Sequence, residues 1–152
     1  MFGERRRETS WAHQIATAAI FTSPLLVYGA HPQSLLDNPA VDIVKSLPSV
    51  WDETIVLPPT EIGEVAAFAR RRGTTWFVAV ANGPDRRTVR IDLSFLETAR
   101  YDALIARDQP DDPAAVKIEK IQLTTTGSLT GEMRPGGGFI ARLTKTAATN
   151  GR

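Results

Sequence analysis

The distribution of apolar and polar positions divides the chain into two textures. From about Glu8 to Leu47 it reads as helix, buried strand, loop and helix. Trp11, Ile15, Ala18 and Thr22 recur at helical spacing, and Ala16, Ala18 and Ala19 add helix propensity. Pro24 stops that helix. The unbroken apolar run Leu25-Leu26-Val27-Tyr28 predicts a short strand buried on both faces, as in a parallel sheet. Asn38 is placed to cap a second helix with Pro39 at its first position. Val41, Val44 and Leu47 form its apolar side, and Pro48 ends it.

After Trp51 the period shortens to that of strands. Trp76, Val78 and Val80 point one way while Phe77, Ala79 and Ala81 point the other, which predicts a central strand. Asn82-Gly83-Pro84-Asp85 is a turn. Val89, Ile91, Leu93 and Phe95 alternate with Arg90, Asp92 and Ser94, giving a strand with one wet face. Tyr101 to Ala106 is the next strand. Val116 and Ile118 share one phase and Ile121 and Leu123 the other, which predicts a break near Lys120. Leu129–Met133 and Phe139–Leu143 predict a closing hairpin around Pro135-Gly136-Gly137-Gly138. Strands at this spacing, with no helical pattern among them, imply an antiparallel β-sandwich or barrel. The fold class expected is mainly β, with a sandwich at residues 51–146 and a helix-strand-helix unit at residues 1–50. Residues 147–152 are small and polar and are expected to be a frayed tail.

A lone strand between two helices has no sheet to join within this chain, yet its backbone groups require neighbours. The first fifty residues therefore read as the end of a larger α/β domain. Arg5, Arg6 and Arg7 ahead of an apolar stretch superficially suggest a secretory signal. Glu4 and Glu8 in the basic region, polar interruptions in the apolar one, and bulky Tyr28 near the cleavage position argue against it. The stretch is also too short and polar to span a bilayer.

Composition narrows the chemistry. The 152 residues carry a net charge of +1, which argues against a nucleic-acid partner, and no membrane partner is expected. The absence of cysteine excludes disulfides, thiolate metal sites and thiol catalysis.

A set of short segments in fixed order carries a family resemblance. His13-Gln14-Ile15-Ala16, Ser23-Pro24-Leu25, Pro39 to Pro48 and Trp51-Asp52-Glu53-Thr54 open the series. Ile62-Gly63-Glu64, Ala69-Arg70-Arg71, Trp76-Phe77, Arg107-Asp108 and Pro135-Gly136-Gly137-Gly138-Phe139 continue it. Together they resemble the C-terminal region of glycoside hydrolase family 97. The resemblance implies a parent with an N-terminal β-domain, a (β/α)8 catalytic barrel and a C-terminal sandwich associated with oligomerisation. It implies hydrolysis of α-glucosides or α-galactosides, an active-site calcium, and often a periplasmic or secreted location. Residues 1–50 would then be the last barrel elements. The family's catalytic carboxylates and calcium ligands lie upstream of the matching region, so no catalytic or metal residue carries over. Glycoside hydrolysis needs two positioned carboxyl groups, so the chain alone is expected to be inactive. The partners expected are the remainder of the barrel or a second copy.

Candidate sites follow. Tyr28 and His31 lie at the carboxyl end of the expected barrel strand, the end that faces the active site in such barrels, and could hydrogen-bond a sugar. His13 reads as a structural contact. Asp108, Asp111 and Asp112 read as turn chemistry rather than a calcium loop. Asp52 and Glu53, adjacent on an extended chain, point apart and read as a contact between barrel and sandwich. The glycine triplet reads as a wide turn, Arg70-Arg71-Arg72 as a solvated strand end, and Trp76 as core. Two rival functions remain at this point. One is a carbohydrate-binding accessory module, and the other a small independent enzyme using Asp52, His31 or the Asp108 cluster.

Overall fold

A computed structural model describes residues 8–21 and 23–146. The arginines at positions 5–7, Thr22 and the tail beyond residue 146 lie outside the described residues. Helix α1 spans Trp11–Ile20, α2 Pro32–Leu36 and α3 Val41–Val44. The strands are β1 (Glu53–Val56), β2 (Val65–Arg72), β3 (Thr75–Asn82), β4 (Arg87–Asp92), β5 (Arg100–Gln109), β6 (Asp112–Thr124), β7 (Ser128–Met133) and β8 (Gly138–Lys145). Six of them form an antiparallel sheet in the order β1-β2-β3-β8-β5-β6, and β4 pairs with β7 in a separate two-stranded sheet.

The alternation along the strands explains the layering. Trp76, Val78 and Val80 of β3 face β4 and β7, meeting Val89, Ile91, Leu129 and Met133 in one core. Phe77 and Ala79 face the other way, toward Ile15, Ala16, Ala19 and Ile20 of α1 and Ile43 and Val44 of α3. A strand buried on both faces reads as apolar throughout, as β3 does. The molecule is thus three layers deep: helices, large sheet, small sheet. The antiparallel sandwich expected after Trp51 forms as the two sheets.

Several local expectations change. No strand forms at Leu25–Tyr28. Residues 23–31 run without regular structure, and Leu25 is 76% and Val27 73% exposed. An apolar strand needs neighbours to bond its backbone, and no described strand pairs with this stretch. The buried stripe of α1 runs through Ala12, Ile15, Ala16, Ala19 and Ile20, rotated from the Trp11/Ala18 line. Small alanines let the helix lie close on the sheet. The helix expected from Pro39 begins at Val41 as α3, because Asn38 closes a tight turn onto the Ala40 N–H (2.8 Å) instead of starting a helix at Pro39.

The pairing of β6 with β5 runs unbroken through Lys120; the irregularity lies beside Asp108 and Gln109. The phase change in β6 arises because its two halves are covered on opposite faces. Val116 and Ile118 pack toward the helices, and Leu123 toward the small sheet. Finally, β7 and β8 are not a hairpin. Strand β7 pairs with β4, and β8 with β3 and β5, so the glycine-rich link crosses from one sheet to the other.

Candidate functional site

Two side-chain clusters connect the segment before Trp51 to the sheet, and a third lies within that segment. The first holds the start of α1. Ser10 is its N-cap, its hydroxyl accepting the His13 N–H at 3.1 Å. The same hydroxyl donates to Asp108 Oδ1, and Asp108 Oδ2 accepts the Gly138 N–H at 2.9 Å. Asp108 is only 3% exposed. Burial pushes its carboxyl above the ordinary carboxylate range, against the pull of the Ser10 and Gly138 hydrogen bonds. His13 adds a contact from Nδ1 to the Gly137 carbonyl at 3.0 Å. The glycines explain the closeness: a Cβ on Gly137 would overlap Asp108 Oδ2, and one on Gly136, whose φ is 62°, would overlap the Glu8 carbonyl. The triplet is a socket for the incoming chain.

The second cluster holds the other end of α1. Arg70 is 5% exposed, and its Nη2 donates to the Ile20 carbonyl at 2.7 Å. Its guanidinium carbon lies 5.7 Å from the Trp51 ring centre and 5.5 Å from that of Phe68. A cation at the carbonyl end of a helix meets the favourable end of its dipole. Burial pulls the Arg70 guanidinium below its ordinary value, and Nε and Nη1 lie buried without a partner. The strand-end reading of Arg70 is therefore corrected. Arg71 and Arg72 fit it: with the Gly73 N–H (2.7 Å) they bind Asp52 and Glu53, Arg72 to Asp52 at 2.7 Å and Arg71 to Glu53 at 3.0 Å. These two carboxylates thus fasten the start of β1 to the β2–β3 turn, a contact within the sheet.

The third cluster is an open groove of about 620 Å³, lined by Leu25, Leu26, Tyr28, Leu35, Leu36 and Val44 among others. Tyr28 is half-buried in its wall. Burial pushes the phenol up, and its hydroxyl has no partner. His31 lies outside that lining, exposed, with Nδ1 accepting the Gln33 N–H at 3.2 Å to cap α2. The groove thus takes one of the two rim candidates.

The remaining candidates are placed plainly. Asp112 accepts the Ala114 N–H at 2.9 Å and Asp111 is exposed, which is turn chemistry. Asp108 is not; it is a buried strand residue whose oxygens face hydrogen-bond donors, the wrong surroundings for a cation. Among the described residues no group of three or more acidic or histidine side chains could hold a metal. Trp76 is core, packed edge-to-face on Phe95 at 5.0 Å, and Trp51 packs similarly on Phe77 at 5.4 Å. No helix among the described residues is long and apolar enough to cross a membrane. Ser10, directly before the periodic residues of α1, carried an N-cap signal that the periodicity alone passes over.

Comparison with known proteins is consistent along the chain. Residues 50–144 match the family model described as glycosyl-hydrolase 97 C-terminal, oligomerisation. A retaining alpha-galactosidase of Bacteroides thetaiotaomicron is 29% identical over 146 residues, which are 93% of this chain and 22% of that protein. A glycoside hydrolase family 97 enzyme from Pseudoalteromonas sp. strain K8, solved with acarbose, superposes with a TM-score of 0.85 at 26% identity. That match covers 93% of this chain and 23% of the other. A beta-arabinopyranosidase superposes with a TM-score of 0.75 at 28% identity, over 92% of this chain and 22% of that one. The chain spans between a fifth and a quarter of the length of these relatives. With two antiparallel sheets in the matched region and the ordered segments on both sides of Trp51 in place, the chain belongs to glycoside hydrolase family 97, as its C-terminal oligomerisation region.

Proposed function

We propose that this chain is the assembly end of a family 97 glycosidase acting on α-glucosides or α-galactosides, and that it carries none of the catalytic carboxylates. Its work is mechanical. The sheets form a rigid body, and the segment before Trp51 presents an apolar surface that the preceding part of the enzyme covers. One observation carries this reading. Residues 10–20 and 40–47 are packed into the sheet, whereas Phe21, Leu25, Val27 and Leu36 stand 52% or more exposed between them. Such a strip of large apolar side chains marks a contact surface. The last barrel elements are the natural identity of that strip, with Tyr28 and His31 near the rim. Calcium, where the parent binds it, is held by residues outside this segment.

The carbohydrate-module reading needs exposed, coplanar aromatic faces. Trp76 and Tyr101 are buried, and Trp51 is engaged with Phe77 and Arg70. The test is direct. The purified chain should hydrolyse neither aryl α-galactosides nor aryl α-glucosides, and should self-associate in sedimentation. Turnover above that of a boiled control would overturn the non-catalytic assignment. Saturable binding of α-galactosides or maltooligosaccharides would favour the module instead.

A further inference from the structure

The large sheet ends on one side at β1, four residues long and followed closely by Pro58 and Pro59. On the other side it ends at β6, thirteen residues long. The outer edge of a terminal strand carries a row of unpaired N–H and C=O groups, a template for another strand. Residues 116–124 of β6 pair with β5 without interruption, and their other edge is the margin of the sheet. The helices α1 and α3 cover much of one face of the sheet and β4 and β7 much of the other, and β6 itself is covered on opposite faces along its two halves.

We propose that β6 is the self-association surface, two copies joining β6 to β6 antiparallel about a two-fold axis, so that one sheet runs through both. This rests on the oligomerisation reading above and names the surface that performs it. Charge selects the register. The segment reads Val116-Lys117-Ile118-Glu119-Lys120-Ile121. A two-fold centred on Ile118 sets Lys117 of each copy opposite Glu119 of the other. Centring on Glu119 or Lys120 would set like charges face to face, which destabilises a strand pair. Within one copy Glu119 already binds Lys117 at 2.8 Å and Arg107 at 2.9 Å. The pairing therefore extends an existing ladder of alternating sign. Lys117, which would repel an unrelated basic edge strand, meets Glu119 in a second copy of this one, while Lys120 lies opposite Val116.

The experiment exploits the lack of cysteine. In the proposed register the two Ile118 positions are directly opposed, and opposed Cα atoms across an antiparallel pair sit about 4.5–5.5 Å apart, within disulfide reach. Ile118→Cys should form a covalent dimer under mild oxidation, and Lys117→Cys, offset from its own copy, should do so at least roughly tenfold more slowly. Lys117→Glu should weaken association by about tenfold or more in sedimentation velocity, since two attractive pairs become repulsive. Its side chain is exposed, so this variant keeps the test alive if Ile118→Cys unfolds. If the parent chain associates while the thiol introduced by I118C stays free and K117E associates as tightly, edge pairing is overturned and the oligomerisation reading stands. A parent chain that sediments as a single copy at about 100 μM, where even weak association populates dimers, overturns both.

Discussion

Replacing Asp108 offers the sharpest check on how α1 is held to the sheet. Asp108→Ala removes the acceptor for the Gly138 N–H and for the Ser10 hydroxyl, both buried. Hydrogen bonds to a charged group contribute about 1.5–3 kcal/mol each, and a buried donor left unpaired costs about 1–3 kcal/mol. The Ser10 hydroxyl can rotate to another acceptor, and loss of a desolvated charge offsets part of the damage. The net expectation is a loss of about 3 kcal/mol. At roughly 2–4 °C per kcal/mol for a chain of this size, the melting temperature should fall by about 6–12 °C. Asp108→Asn is the informative partner. Its amide oxygen can accept the Gly138 N–H and its amide nitrogen can donate to the Ser10 hydroxyl, so the cost should stay below about 1 kcal/mol. The pH dependence adds a sign. A carboxyl whose folded-state value lies above its unfolded one binds more protons when folded. Its contribution is fully present below the ordinary value near 4 and is lost as pH rises through the raised one. Relative to D108N, the parent chain should therefore lose stability across that window. Urea unfolding at several pH values measures all three. Equal costs for D108A and D108N, or a parent chain gaining on D108N as pH rises, would refute the account.

Arg70→Met should cost less than Arg70→Ala. Methionine keeps the stem between Trp51 and Phe68, and two guanidinium nitrogens have no partner to lose; we expect about 1 against about 3 kcal/mol by denaturant unfolding. Gly137→Ala should destabilise by about 2 kcal/mol or more, since its methyl group would collide with Asp108, whereas Gly29→Ala, with open space around it, should fall within about 0.5 kcal/mol of the parent. Equal melting temperatures for the two glycine variants would remove the socket from the argument. Tyr28→Phe should leave stability unchanged within about 0.5 kcal/mol, because the hydroxyl makes no hydrogen bond; a larger loss would reveal a partner for it.

How much was legible in the sequence depended on whether a local pattern had a local cause. Strand β3 was readable because its two apolar phases each meet a covering layer, and β4 because Arg90 and Asp92 face water. The Leu25–Tyr28 run misleads for a physical reason: composition suits a buried strand, but forming one depends on neighbours that sequence pattern cannot supply. The phase switch in β6 looked like a bulge because periodicity records which face is covered, not whether pairing continues. The glycine triplet read as a turn because its tightness is visible locally. The reason for that tightness, Glu8 and Asp108 pressing from parts of the chain far away in sequence, is not. Asp108 and Arg70 were obscured by the same limit. Acidic residues near proline and arginines in a row usually face solvent, and only the tertiary fold carries these two inward.

The packing of α1 has a mechanical consequence. Helix and sheet share an interior, and the helix is fixed at its start by Ser10 and at its end by Arg70. Whatever adjoins residues 21–49 is consequently bolted to the sheet through a stiff bracket rather than strung from a tether. A body mounted in this way transmits orientation as well as proximity. Truncating a homologous protein at the position equivalent to residue 50 would strip one side of the sheet bare, so an excision meant to stay soluble should begin ahead of Ser10.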